Sequence, residues 1–343
     1  MRPIFKNLND GAHWFVCDEN ESFSVDEIMI AYYGRHSTKQ FIRAKPIRFG
    51  FKIWSLCTAD GAGVYFEPYC GGDTDVDDEG LGQGPNVVLS LVQKSLLAAG
   101  SKVFFDNLFT SFPLLQRLSA LGIAGTGTVR QNRLNRVPIT SKKDLQKKAV
   151  PRGEMDVVYQ SDQVLVAWKD NCPVYIASNQ YDAELGEPVR RFSRTDKKWI
   201  NVPCPSVVSK YNCLLSVCLS FDIVNKLCIS IFIQSRKSHL ISSYFLIEEY
   251  NKGMGGVDLL DNMVSCYRVR FRKKKWWFPI YTWSLNVSAV NAWRLRMRVT
   301  GKKEPYLDFL RELVVSLLTV HGGERGQGRR SMELPASLQE SLR

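Results

Sequence analysis

The sequence predicts an α/β fold in which helices flank a mixed β-sheet. Near the N-terminus, apolar and polar residues alternate in stretches bounded by glycine and other turn residues, as in the strands of a β-meander. Residues 86–100 then switch to a helical period, and short apolar stretches follow on either side of a second helical stretch. The resulting order is three strands, a helix, a strand, a helix and a strand. This is the order of a ribonuclease-H-like fold.

The individual elements follow from these patterns in chain order. The three N-terminal strands are predicted in SFSVDEIMIAYYG (22–34), PIRFGFKIWSLCTAD (46–60) and GVYFEPYCGG (63–72). In the helix predicted at 86–100, apolar side chains recur on one face and a glycine provides the stop signal. A short buried strand is predicted at 101–110, followed by a helix in SFPLLQRLSALG and a strand in IAGTGTVR.

Five segments are predicted along the chain. Residues 1–130 form the first part of the ribonuclease-H-like domain, and 131–212 form a basic linker and a β-rich insertion subdomain with strands in MDVVYQ, VLVAWKD and PVYIAS. Residues 213–249 are an anomalous inserted segment, 250–300 are the closing helices of the domain, and 301–343 are a helix and a disordered tail.

The composition narrows the class of partner. The chain has 343 residues, 46 Lys and Arg against 34 Asp and Glu, a net charge of +12 and a pI near 9.2. A folded, basic protein of this kind favours a polyanionic partner. No apolar run reaches the roughly 18 to 20 residues that a membrane span needs, and the N-terminus has no apolar signal core. Nine cysteines without a CxxC pair indicate reduced thiols in the cytosol or nucleus, and no zinc site.

Four aspartates stand at positions suited to a shared site. Asp26 lies within the first predicted strand, Asp106 ends the fourth, and Asp258 and Asp261 follow paired glycines in GMGGVDLLDNM at the start of a late helix. Positions three apart share a helix face, and glycines permit close approach of backbone or nucleic acid. Carboxylates of this kind suit Mg²⁺ or Mn²⁺, and a pair of such ions serves phosphodiester chemistry. The alternative is structural: an acid favours a helix N-terminus, and an aspartate at a strand end is a common turn residue.

Two basic groups are candidates for binding DNA phosphates. The first lies in RVRFRKKKWWF and consists of Arg268, Arg270, Arg272, Lys273, Lys274 and Lys275. The second lies after Asp106 and consists of Arg130, Arg133, Arg136, Lys142, Lys143, Lys147 and Lys148. Such cations supply affinity for phosphate, and an exposed tryptophan beside them stacks on unpaired bases. The alternatives are a solvated helix entry with both tryptophans in the core, and a solvated linker.

Four stretches together resemble one family. They are SVDEIMIAYYGR, KQFIRAKPIRFGFKIWSLC, FFDNLFTSFPLLQRLSALGIAGTGTVRQNR and GMGGVDLLDNM. In this order and with similar spacing they resemble the piggyBac-type transposases and their domesticated relatives, over about residues 1–212 and 250–300.

The resemblance implies a function and a site. It implies that Asp26, Asp106 and Asp258 occupy the positions of the family's DDD catalytic and metal-binding triad, and Asp261 that of an additional acid. The family cuts and rejoins DNA at TTAA sites with divalent metal, through hairpin ends. Mg²⁺ or Mn²⁺ is therefore the expected cofactor, with DNA as the partner, a homodimer as a further possibility, and a nuclear location. Neither a membrane nor a small-molecule substrate is expected.

The sequence also departs from that family. Its N-terminal region and its cysteine-rich zinc module are expected to be missing, and with them the recognition of transposon ends. Residues 213–249 contain no glycine or proline and interrupt a passage that otherwise runs from SKYN to GMGGVD. This segment is either an extra element or intron-derived sequence, and the family-like text on both sides favours the second. Three hypotheses follow: a DDD transposase domain, a domesticated DNA-binding protein that no longer cuts, and a truncated product with neither activity.

Overall fold

The computed structural model describes residues 2–11, 15, 21–43, 45–134, 137–180, 189–193, 197–203, 255–268 and 275–321. The anomalous segment 213–249 and the tail after residue 321 lie outside the described residues. The chain divides into two compact units, residues 1–296 and 297–343.

The first unit is built on a nine-stranded sheet. Its strands are β1 (Ser22–Ala31), β2 (Gln40–Phe41), β3 (Phe49–Thr58), β4 (Gly63–Pro68), β5 (Lys102–Phe105), β6 (Ala124–Thr128), β7 (Met155–Gln160), β8 (Gln163–Lys169) and β9 (Pro173–Ser178). β1, β3 and β4 pair antiparallel, while β5 lies parallel to β1 and β6 parallel to β5. The central order β4-β3-β1-β5-β6 confirms the predicted α/β class with a mixed sheet.

Helices cover both faces of this sheet. The described helices of the unit are α1 (Arg2–Asp10), α2 (Gln83–Ser95), α3 (Phe112–Ala120), α4 (Lys142–Leu145), α5 (Gly256–Cys266) and α6 (Phe278–Thr300), the last of which ends beyond the unit's boundary. On one face, α2 and α3 bury Val25, Trp54 and Phe105 in the main apolar cluster. α5 packs on β1 and β3. α2 ends at Ser95, earlier than the predicted stop at Gly100, because Leu96 adopts a left-handed conformation with φ 55°.

The strand-rich part of the segment 131–212 pairs with the main sheet by backbone hydrogen bonds. β9 pairs antiparallel with β6, and β8 and β7 follow in turn, so these three strands extend the main sheet. β10 (Val189–Ser193) and β11 (Lys198–Val202) form a separate two-stranded sheet. Val202 of that small sheet packs with Trp168 of β8 in a second apolar cluster.

One ion-pair group joins the small sheet to the large one. Asp170, directly after β8, accepts hydrogen bonds from the guanidinium groups of Arg152 and Arg191, the latter at 3.0 Å. The three side chains are only 16% to 26% exposed. The pairing therefore holds β10 against the end of β8 in a partly desolvated environment.

We expect Asp170→Ala to lower the free energy of unfolding by about 2 to 3 kcal/mol, because two half-buried guanidinium groups lose their shared acceptor. Asp75→Ala is a matched control: Asp75 also pairs with two cations, Arg2 and Lys94, but its side chain is 52% exposed. Loss of the Asp75 carboxylate should lower the free energy of unfolding by less than about 1 kcal/mol. Urea unfolding measures both, and equal effects would contradict the role given to Asp170.

The second unit contains α7 (Tyr306–His321), in which Asp308 and Arg311 form an exposed ion pair one turn apart. Among the residues that the structure describes, no helix is long and apolar enough to cross a membrane.

Candidate active site

The parallel pairing of β1 and β5 sets the positions of the first two acids. Val25 lies opposite Phe105, so the next residues along the two strands, Asp26 and Asp106, stand side by side. Neighbouring strands are about 4.8 Å apart. β5 ends at Phe105, and Asp106 therefore begins the turn at the end of the strand, as the sequence predicts.

The turn after β5 fixes the Asp106 carboxyl. Its Oδ1 accepts the backbone N–H of Leu108 at 2.7 Å, and its main-chain carbonyl accepts the hydroxyl of Thr110 at 2.8 Å. Arg133 donates to the carbonyls of Leu108 and Thr110 from outside the turn. Burial raises the pKa of Asp106; the Leu108 N–H opposes this rise, and the nearby charge of Asp26 adds to it.

Paired glycines allow α5 to dock on the sheet. A Cβ at Gly256 would lie 2.1 Å from the carbonyl oxygen of Thr58 and 2.8 Å from the hydroxyl of Ser24. The helix is held there by the Val257 N–H, which donates to Ser24 Oγ at 3.1 Å. Because side chains two apart on a strand share a face, the helix lies on the face of β1 that carries both Ser24 and Asp26.

The acids of α5 are electrostatically part of the same cluster. Asp258 lies in the first turn, with Asp261 one turn further on. Burial raises the pKa of Asp261 to about 6; the charge of Asp258 adds to the rise, and Lys45 and Arg268 oppose it. Asp26 contributes to the same rise. The charge of Asp26 thus raises the pKa of both Asp106 and Asp261, and the charge of Asp258 raises that of Asp261.

Two further side chains lie in this cluster, and the sequence argument did not single them out. Lys45 Nζ is 3.3 Å from Asp26 Oδ2 and 3.7 Å from Glu27 Oε1. Burial raises the pKa of Glu27 to about 7; the charge of Asp26 adds to the rise and Lys45 opposes it. In the sequence, only its position next to Asp26 marks Glu27 as a candidate site residue. Lys45 reaches Asp26 because the chain between β1 and β3 folds back, a contact that no local pattern signals.

The acids around Lys45 are a candidate site for a divalent cation. Its donors are carboxylate oxygens, which Mg²⁺ and Mn²⁺ prefer, and Glu27 Oε2 is a buried oxygen without a hydrogen-bond partner. The donor chemistry therefore fits. Within the described ranges, however, no three acidic, histidine or cysteine side chains are close enough together to hold a metal ion.

The predicted DNA-binding residues fall into three groups. Arg270, Arg272, Lys273 and Lys274 lie outside the described residues. Lys275 is exposed, whereas Arg268 is half-buried and donates to the carbonyl of Pro279 at 3.4 Å. Arg130 donates to the side chain of Asn107, so Arg130 and Arg133 both brace the turn that carries Asp106.

The two tryptophans of this region differ in environment. Trp276 is half-buried and packs against His36, with ring centroids 4.5 Å apart, and against Phe51 at 6.3 Å. Trp277 is 41% exposed and contacts Phe278 and Tyr281 edge-on. Of the pair, Trp277 is the ring more accessible for stacking.

Comparison with known proteins gives consistent matches. A family model described as transposase IS4 matches residues 1–245 and 215–293. PiggyBac transposable element-derived protein 3 of Homo sapiens is 33% identical over 337 residues, covering 95% of this chain and 49% of that protein. PiggyBac transposable element-derived protein 2 of Homo sapiens is 30% identical over 340 residues, covering 97% and 50%. The chain thus spans about half the length of these curated relatives.

A solved structure shares the fold. The cryo-EM structure of a piggyBac transposase synaptic complex with hairpin DNA superimposes with a TM-score of 0.64 at 21% identity, covering 95% of this chain and 57% of that one. This likeness agrees with the ribonuclease-H-like arrangement of the sheet.

Proposed function

Because the chain belongs to the transposase IS4 family and is of the piggyBac type, we propose that it carries a DDD catalytic domain that cuts DNA and transfers strands at TTAA sites. The chain is a piggyBac-like transposase or a domesticated protein derived from one. Binding of DNA, a homodimer and a nuclear location are parts of the proposal.

One observation carries the proposal. Asp26 lies in β1, which pairs in parallel with β5, and Asp106 directly follows β5; α5, which bears Asp258 and Asp261, docks on β1 through Ser24. The mutual influence of these acids on their pKa values supports a shared site. Such a convergence brings like charges out of water together, a cost that the Lys45 ammonium offsets in part and a bound divalent cation would offset further.

The acids, the turn after β5 and the basic residues would each have a separate role in DNA cleavage. Asp26, Asp106 and Asp258 would hold Mg²⁺ or Mn²⁺, which when bound activates a water or 3′-hydroxyl and stabilises the leaving oxygen. Asp261 would complete the set of oxygen donors. The turn braced by Arg133 would keep Asp106 in place. The cations after α5 would bind DNA phosphates.

The direct experiment incubates the full chain with TTAA-containing duplex DNA and Mn²⁺. We expect nicks or hairpin-ended products at TTAA, and EDTA should abolish them. If the protein binds DNA yet forms no metal-dependent product, the second candidate, a DNA-binding protein that no longer cuts, is the better conclusion. The observation favouring it is that no three acids among the described residues are grouped tightly enough to hold a metal ion.

We also expect the lysines after α5 to determine the salt dependence of DNA binding. Replacing Lys273, Lys274 and Lys275 with alanine should reduce the slope of log affinity against log salt by about 2 to 3, since each phosphate contact contributes about 0.9. A variant with Lys6, Lys198 and Lys302 replaced removes the same charge from exposed positions outside both predicted DNA-binding groups. Equal losses of slope in the two variants would indicate a general charge effect and contradict a local contact.

A further inference from the structure

Lys45 makes an unusual set of contacts for a lysine. Its ammonium donates to Asp26 Oδ2 and to the main-chain carbonyl of Glu27, both at 3.3 Å, and pairs with Glu27 Oε1 at 3.7 Å. Its side chain is 29% exposed, and those of Asp26 and Glu27 are 28% and 13% exposed. These contacts hold the head of a flexible side chain against the first acid of the candidate active site.

The surroundings favour a cation at this point. Burial alone would lower the pKa of Lys45, but the charges of Asp26, Glu27 and Asp258 reverse this and raise it above its ordinary value. Lys45 also opposes the rise in the pKa of Asp106 and Asp261. One ammonium group therefore interacts with acids from β1, from the turn after β5 and from α5.

A divalent cation at Asp26 would need an oxygen of its carboxylate, and one of the two, Oδ2, already accepts the Lys45 ammonium. Mg²⁺ binds carboxylate oxygen at about 2.0 to 2.1 Å and demands a regular shell of ligands. An ammonium hydrogen-bonded to Asp26 Oδ2 occupies one of the two carboxylate oxygens and repels a divalent ion by its like charge. The two cations thus compete for one carboxylate.

We propose that Lys45 is a positioning residue whose ammonium holds the acid cluster together and exchanges with the divalent cation at Asp26. This inference rests on the proposed function, because it concerns the same acids. It assigns to Lys45 two opposed effects: the lysine stabilises the fold when no divalent ion is added, and it weakens the binding of the first ion.

The test compares the full chain with Lys45→Met, which keeps most of the length of the side chain and removes its charge. Mn²⁺ binding is measured by calorimetry without DNA, and Tm is measured with and without Mn²⁺. We expect the Met variant to have a lower Tm without metal and to bind Mn²⁺ about 10- to 100-fold more tightly, the scale on which a nearby charge shifts such equilibria. Its Tm should rise more with Mn²⁺ than that of the unchanged protein.

Two further variants keep the outcome decisive. Lys45→Arg retains the charge and should bind Mn²⁺ no more tightly than the unchanged protein. Lys45→Gln removes the charge while keeping a donor, and it replaces the Met variant if that one fails to fold. Equal or weaker Mn²⁺ binding by the neutral variants would overturn the role of Lys45 alone. Absence of Mn²⁺ binding in every protein, the unchanged chain included, would overturn the proposed function together with it.

Discussion

Gly256→Ala is expected to displace α5 from the sheet and to lower the activity proposed above by about 100-fold. The added methyl group would lie 2.1 Å from the Thr58 carbonyl oxygen, a backbone atom fixed by its strand, so the helix must move. Overpacking of this kind costs about 1 to 3 kcal/mol, occasionally more. Because Asp258 stands two residues further on, the shift also moves a predicted ligand, and a misplacement of about 1 Å can cost about 10²-fold in rate.

Thermal unfolding and the TTAA cleavage assay measure the two effects separately. Gly72→Ala is the control, because a methyl group there meets nothing within 4 Å. It should leave Tm unchanged or raise it slightly, as glycine replacement does where the backbone permits it. If Gly256→Ala unfolds at the same temperature as the unchanged protein, the close packing of α5 on β3 is wrong.

Asp106→Asn is expected to lower metal-dependent cleavage by more than about 100-fold while leaving the fold intact. Changes to groups that only support a metal ligand already cost roughly 10- to 100-fold, and this change would remove a ligand's charge. The asparagine Oδ1 can still accept the Leu108 N–H, so the turn is kept. Burial raises the pKa of Asp106, which means that its charged form is disfavoured in the folded state; a neutral side chain should therefore leave Tm unchanged or higher.

DNA affinity should change little in this variant, because no phosphate-binding cation is removed. Asp77→Asn, a change of the same kind at an exposed position in the loop before α2, should affect neither cleavage nor Tm. Cleavage that survives Asp106→Asn at the unchanged rate would show that Asp106 is not part of the catalytic set.

Local patterns were sufficient to predict the central part of the fold. A strand such as β3 can be recognised from the hydrophobic pattern of about ten consecutive residues. The order of the predicted elements along the chain then indicates the topology. The end of β5 at Phe105 was predictable for the same reason, since the DN turn follows directly. Asp26 and Asp106 were predicted to share a site from the order of the elements and the family resemblance, whereas the pairing of β1 with β5, which lie apart in the chain, is seen only in the structure.

What sequence reasoning missed depends on contacts between distant segments. The extension of the main sheet by β7, β8 and β9 depends on β9 pairing with β6 across about fifty residues, from Thr126 to Ser178. The periodicity of apolar residues predicts that a strand exists, but it does not predict with which edge of the sheet that strand pairs. Lys45 was missed because its partner Asp26 lies across a folded-back connection. The roles of the acids and of the basic residues stay predictions that the experiments above decide.

The hydrogen bond that seats α5 joins residues 233 positions apart, and Asn291 of α6 is bound to both backbone groups of Gly63 across 228 positions. Ribosomes add on the order of 5 to 20 residues per second. The strands that carry Asp26 and Asp106 therefore leave the ribosome on the order of tens of seconds before the helix that carries Asp258. A nascent or prematurely terminated chain would hold two acids beside each other without the third. The timing of synthesis thus delays any DNA-cutting capacity until nearly the whole unit has been made.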